Sequence, residues 1–280
     1  MRGATVGSRR VTTELQLLWL ALMLYTLAGS TAVGAAVLAR RPERIILAII
    51  MTGLAVHAVS LGLRWERLGH GPFITLFEIL SSNVWSLLAI FALAYWRVPA
   101  LRSAAVVVMP ILFVMMAWLL VTSPAAGHFP PTYRTAWLYV HLLFGKVFLG
   151  MVLIAVGVSG LILLRRAGTG AAALARLPDD VRLEDLAFRF IMVGFMFETL
   201  MLVAGAIWAQ DAWGRYWAWD PLETWAFATW LMLAFFIHLR VTVKLRPCYS
   251  AALIMAVFVL AFLTFFGVPF VSTAPHKGAV

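Results

Sequence analysis

Apolar runs about twenty residues long recur along the whole chain, broken by short segments that carry arginine. A helix crossing a bilayer needs roughly 20 such residues at about 1.5 Å rise each. Eight runs reach that length: Leu15 to Ala39, Ile45 to Leu63, Phe73 to Trp96, Ser103 to Val121, Thr135 to Leu164, Phe190 to Ala209, Pro221 to Leu239, and Cys248 to Val271. The third differs from the rest, because Glu78, Ser81, Ser82 and Asn83 make its first half polar. One reading starts that helix in the membrane interface. The first run is too long for a cleaved signal peptide, and no small-residue cleavage site ends it. The pattern predicts an all-α polytopic integral membrane protein of about eight transmembrane helices, a single transmembrane domain over residues 1–280.

Charge adds an orientation. Arg40, Arg41 and Arg44 follow the first run, and Arg97 and Arg102 follow the third. Arg165, Arg166, Arg176, Arg182 and Arg189 surround the longest break, and Arg240, Lys244 and Arg246 follow the seventh run. Placing these four breaks on the cytoplasmic side puts both termini outside, against the vote of Arg2, Arg9 and Arg10. Residues 165–189 then read as a cytoplasmic linker. A net charge of +10 would suggest nucleic acid in a soluble chain. With 63% hydrophobic residues, 12% charged and a mean hydropathy of +0.95, the partner is instead the lipid bilayer and its anionic headgroups, with no nucleic acid. The single Cys248 excludes an internal disulfide, and no Cys-x-x-Cys-His segment occurs, so the chain is not itself a c-type cytochrome.

One predicted outer loop, residues 209–221, carries Trp213, Tyr216, Trp217 and Trp219 within seven positions. An interfacial aromatic belt would account for tryptophans at a helix end. Four aromatics in one short loop would also build a flat apolar shelf for a planar ring system. Both readings stand on composition alone. Asp220-Pro221-Leu222-Glu223 is a capping box, with Asp at the N-cap, Pro at the first helical position and Glu three residues after the cap. It predicts that the loop is anchored rigidly to the start of the seventh helix.

The stretch Trp213-Gly214-Arg215-Tyr216-Trp217-Ala218-Trp219-Asp220-Pro221-Leu222-Glu223-Thr224-Trp225 resembles the tryptophan-rich WWD signature of heme-handling proteins. With Glu-Thr-Trp after the proline, it is similar to the CcsA/ResC family of System II cytochrome c biogenesis. Arg64-Trp65, Gly69-His70-Gly71-Pro72 and Phe77-Glu78 resemble the early segment of that family. Gly205-Ala206-Ile207-Trp208-Ala209 leads into the signature, and Phe265-Phe266-Gly267-Val268 precedes the last histidine.

The resemblance implies heme b as cofactor, held at the outer face by Trp213, Trp217, Trp219, Asp220 and Arg215. It implies His141 and His276 as axial ligands of the iron there, and His238 as a ligand of a second, deeper site. The family often has Ser-Tyr after the last histidine, where this chain has Lys277-Gly278. Neutral imidazole is a good axial ligand for heme iron. His238 lies 17 residues beyond Pro221, roughly 26 Å along a helix axis, and cannot join the outer pair. The implied function is heme delivery across the bacterial cytoplasmic membrane and heme attachment to Cys-x-x-Cys-His thiols, as part of a holocytochrome c synthase. The implied partners are a CcsB/ResB-type membrane subunit, apocytochrome c and outer-face thiol reductants. A heme exporter of the CcmC kind and a two-heme membrane electron-transfer subunit are the alternative readings.

The remaining polar residues carry expectations of their own. Arg215 and Arg134 are candidates to pair with heme propionates. His57 reads as a satisfied core residue, His70 and His128 as solvated loop residues. Lys146 and Glu198 fall at matching depths in consecutive helices, and the cost of an isolated charge there predicts a buried ion pair.

Overall fold

In the computed structural model, which describes residues 2–38, 40, 42–168 and 177–271, the chain is helical, with eight helices long and apolar enough to cross a membrane. They group into two compact units, Met1–Gly127 and His128–Val280.

The first unit contains α1 (Arg2–Val37), α2 (Glu43–Leu68), α3 (Leu76–Arg97), a short 3-10 turn (Pro99–Ala104) and α4 (Ala105–Val121). Each helix packs on the next, and α4 returns to α1, which closes a four-helix bundle. Between α1 and α2 the backbones approach closely: a Cβ on Gly53 would stand 2.6 Å from the Tyr25 ring. Small residues at such crossings permit dispersion contact where lipid offers no hydrophobic drive.

Polar side chains occupy the interior of this bundle. Helix α2 continues past the expected end at Leu63 to Leu68, because the charge of Arg64 is neutralised in place. Arg64, only 2% exposed, donates to Glu14 at 2.8 Å and to Glu78 at 2.9 and 3.0 Å. It also donates to the backbone carbonyls of Pro124 and Ala125. The second Glu14 oxygen takes Arg67 at 2.8 Å, and Ser60 donates to the Glu14 carbonyl. Glu78 belongs to a capping box with Thr75 that starts α3. The polar first half of α3 therefore faces the bundle interior, since Glu78, Ser81, Ser82 and Asn83 are all buried.

The second unit contains α5 (Ala136–Arg166), α6 (Asp180–Trp213), α7 (Pro221–Val243) and α8 (Pro247–Phe262). A π turn (Leu263–Gly267) and one last helical turn (Val268–Val271) extend α8. Helices α5 and α6 pack as an antiparallel hairpin, α7 packs on α6, and α8 packs on both α5 and α7. A second four-helix bundle closes. Helix α6 starts at Asp180, earlier than hydropathy suggested, because Asp179 caps it by accepting the Arg182 N–H at 2.8 Å. Residues 180–189 of the expected linker are thus helical, and Arg165 of α5 pairs with Asp180 across the connection. At that same end Arg240 pairs with Glu184, which also accepts from Ser250.

Candidate functional site

The opposite end of the second unit gathers the start of α5, the end of α6, the loop 214–220, the start of α7 and the π turn of α8. Thr135 caps α5 by accepting the Trp137 N–H. That cap fixes the first turns of α5 and with them His141. Gly214, at φ +71°, ends α6 in the left-handed conformation that glycine adopts without strain. The chain then crosses to α7 in six residues.

His141 faces α6. Its Nδ1 lies 2.9 Å from the Met201 carbonyl, and its ring stacks on Trp208 at 5.9 Å with 29° between planes. Trp208 in turn packs on Trp213 at 5.0 Å and edge-on against Tyr133 at 5.3 Å, and its indole N–H donates to the Thr132 carbonyl. Thr135 donates to Asp211, which ties the segment before α5 to the last turn of α6. The imidazole is thereby embedded in an aromatic wall that ends at the tryptophan-rich loop.

The loop itself forms no single flat shelf. Trp217 and Trp219 meet edge to face at 5.7 Å and 83°, and both stand edge-on to Phe227 of α7. Phe227 stacks on Trp230, which packs on Phe195 and donates to Thr199. The expected shelf is therefore two clusters: Trp213 with Trp208, and Trp217 and Trp219 with Phe227. The backbone is the cause. Gly214, at φ +71°, turns the chain out of α6, so Trp213 stays with the helix while Trp217 and Trp219 go with the loop; Trp219 itself also holds a left-handed φ of +59°. Trp219 is 67% exposed and Tyr216 is also exposed. Trp217 is half-buried, and its Nε1 is buried without a hydrogen-bond partner among the described residues.

The capping box is formed as expected. Asp220 accepts the Glu223 N–H at 3.0 Å, and Glu223 accepts the Asp220 N–H at 3.3 Å. Glu223 also accepts the Ala218 N–H at 2.7 Å, which anchors the loop beyond the cap. Arg215 and Arg134 are both exposed.

His238 sits near the far end of α7, exposed, two residues from Arg240 and remote from the loop. His276 lies outside the described residues. His57 is fully buried between the Tyr25 hydroxyl at 3.2 Å and the Ser81 hydroxyl at 2.9 Å, a satisfied core histidine as expected. His128 is exposed. His70 is not solvated: it is buried, its Nδ1 2.9 Å from the Gly71 carbonyl.

The expected Lys146–Glu198 pair is not hydrogen-bonded. Glu198 is fully buried, and neither carboxylate oxygen has a hydrogen-bond partner among the described residues. Helix α5 presents Gly145 to α6, where a Cβ would meet the Met201 sulfur at 3.0 Å. Lys146 is the next residue, a turn of about 100° around the helix. Matching depth does not ensure a matching face. Sequence reasoning named Gly205 and Trp208 only as the lead-in to the tryptophan-rich signature and missed Met201; the signal that groups the three was the one-face spacing of 201, 205 and 208 on α6.

The tryptophan-rich loop and the helices that frame it fall within residues 51–276, which match the model of the family described as Cytochrome C assembly protein. A cytochrome c biogenesis protein CcsA of Prochlorococcus marinus (strain MIT 9312) is 29% identical over 260 residues, 82% of this chain and 83% of that protein. The CcsA of Guillardia theta is 31% identical over 249 residues, 78% of this chain and 80% of that protein. The CcsA of Manihot esculenta is 42% identical over 96 residues, 34% of this chain and 30% of that protein. The chain belongs to the cytochrome c assembly protein family.

Proposed function

We propose that this chain takes up heme b as cargo, holds it at the tryptophan-rich end of its second bundle, and presents it there for attachment to apocytochrome c. That its relatives are cytochrome c biogenesis proteins supports the process. The single observation that carries the ligand role is the seated imidazole of His141 beside the Trp208–Trp213 pair. The donor set fits the cargo: a neutral nitrogen ligand, apolar ring faces, and an unpartnered buried indole N–H on Trp217 for an acceptor.

In this reading His141 and His276 would supply the nitrogen ligands to the iron of the cargo, and exposed Arg215 and Arg134 would pair with its propionates. The aromatic clusters of Trp213, Trp217 and Trp219 cover the macrocycle, while Asp220 fixes the loop as N-cap. His238 marks a second site at the other end of α7, on the route of entry. The tryptophan-rich end faces outward from a bacterial cytoplasmic membrane, with both termini on that side. Each Cys-x-x-Cys-His thiol adds across a vinyl group of the cargo: sulfur bonds to the inner carbon, the proton goes to the outer carbon, and no electron is transferred. The chain contributes positioning and exclusion of water rather than group chemistry. A CcsB/ResB-type membrane subunit completes this holocytochrome c synthase, and outer-face thiol reductants keep the acceptor cysteines reduced.

Expression of this chain with such a partner, in a host lacking its own cytochrome c assembly genes, tests the proposal. Covalent heme on a reporter cytochrome is the expected result. A heme exporter or an electron-transfer subunit would leave the reporter without covalent heme. His141→Gly should abolish maturation, and added imidazole should partly restore it by filling the vacated position.

A further inference from the structure

Three residues on one face of α6 surround the His141 ring. Met201, Gly205 and Trp208 stand at i, i+4 and i+7, the spacing that places side chains along a single helical stripe. The Met201 carbonyl can only accept, so the 2.9 Å contact requires the proton on Nδ1 of a neutral His141. A proton at Nδ1 leaves the lone pair on Nε2. Gly205 supplies the space that the ring needs: a Cβ there would lie 2.8 Å from Nδ1 and 3.0 Å from Cε1, closer than atoms pack. Trp208 then covers a ring face. Gly145, one turn along α5 from His141, keeps the two helices close enough for the carbonyl to reach.

We infer that Gly205 is a positioning residue, whose missing side chain lets the Met201 carbonyl fix His141 as the Nδ1–H tautomer with Nε2 presented to a metal. The inference deepens the heme reading and rests on it for the identity of the metal. A polarised ligand of this kind is more electron-donating and rotationally fixed, and loss of such a partner costs about 10- to 100-fold in metal affinity. Without the carbonyl, the imidazole would be free to carry its proton on either nitrogen.

Nitrogen-15 magnetic resonance of histidine-labelled, heme-free full-length protein reads the tautomer directly, with His141→Gln assigning the signal. Native protein at alkaline pH should show His141 protonated at Nδ1, and Gly205→Ala should lose that state. In heme-loaded protein, Gly205→Ala should weaken heme retention about tenfold and raise the midpoint potential of the heme. Dissolved imidazole should recover retention, an outcome that a general packing defect would not show. A native His141 protonated at Nε2 overturns the inference even if Gly205→Ala fails to fold. So does a Gly205→Ala protein with unchanged tautomer and potential. If the tautomer results hold but His141→Gln leaves bound heme unaltered, the heme reading fails and the seat stands.

Discussion

The carboxylate of Glu223 accepts the backbone N–H of Ala218 at 2.7 Å, and the same oxygen takes the N–H of Asp220 at 3.3 Å. Between those two amides lies Trp219 in the left-handed region, a conformation that costs a non-glycine residue about 1–2 kcal/mol. Gripping both neighbours offsets that strain and holds the indole edge-on to Trp217 and Phe227. Glu223→Ala should release it, with about 1 kcal/mol lost at the cap itself. Membrane accumulation should stay within about twofold while heme retention drops by roughly tenfold, since the lost anchor is worth more to the loop than to the bundle. Glu223→Gln, which keeps an acceptor oxygen, should fall between. Heme content per purified protein measures all three.

Arg64 and Arg67 both pair with Glu14, yet removing them should differ sharply. Arg64 is 2% exposed and bonds two carboxylates, whereas Arg67 is 21% exposed and bonds one. Arg64→Met leaves the buried Glu78 without its cation and one oxygen of Glu14 without its donor, while Arg67 still holds the other, at a cost of about 3–5 kcal/mol. Arg67→Met should cost about 1 kcal/mol. Fluorescence-detected chromatography of the two variants should show little monodisperse protein for the first and near-native amounts for the second.

Glu198 calls for the opposite outcome. A fully buried carboxyl group without a hydrogen bond burdens the fold by about 1–3 kcal/mol. Glu198→Leu should therefore accumulate as well as the native chain or better, and melt at a higher temperature. Combined with Lys146→Met, its effect should be additive. Strong coupling between the two changes would show that the side chains meet.

His57 separates a structural histidine from a ligand. Both ring nitrogens are engaged, by Tyr25 and Ser81. His57→Leu should destabilise the first unit by about 1–3 kcal/mol by leaving those hydroxyls unpaired. The absorption spectrum of bound heme should not move. A shifted Soret band in that variant would assign His57 to the metal.

Eight spanning helices, the capping box at Asp220 and the buried role of His57 were legible in the residues alone. Long apolar runs have one solution in a bilayer, where every backbone amide must be satisfied within its own segment. A capping box is equally local, since its partners lie three residues apart. Legibility stopped where partners are distant in sequence and share no period. Arg64 finds Glu14 fifty positions away, so its charge seemed to end α2 when it stays within the helix. The four aromatics of the loop allowed a shelf or a belt, because composition does not report the left-handed turn at Gly214 that leaves Trp213 on α6 and carries Trp217 and Trp219 to α7. Equal depth suggested a Lys146–Glu198 pair, but which side of α5 meets α6 is set by where small residues let the helices close, and that is at Gly145. His141 stood in the residues as a candidate; the carbonyl that fixes its proton came only with the packing of α6 against α5, because a backbone oxygen has no signature in a sequence.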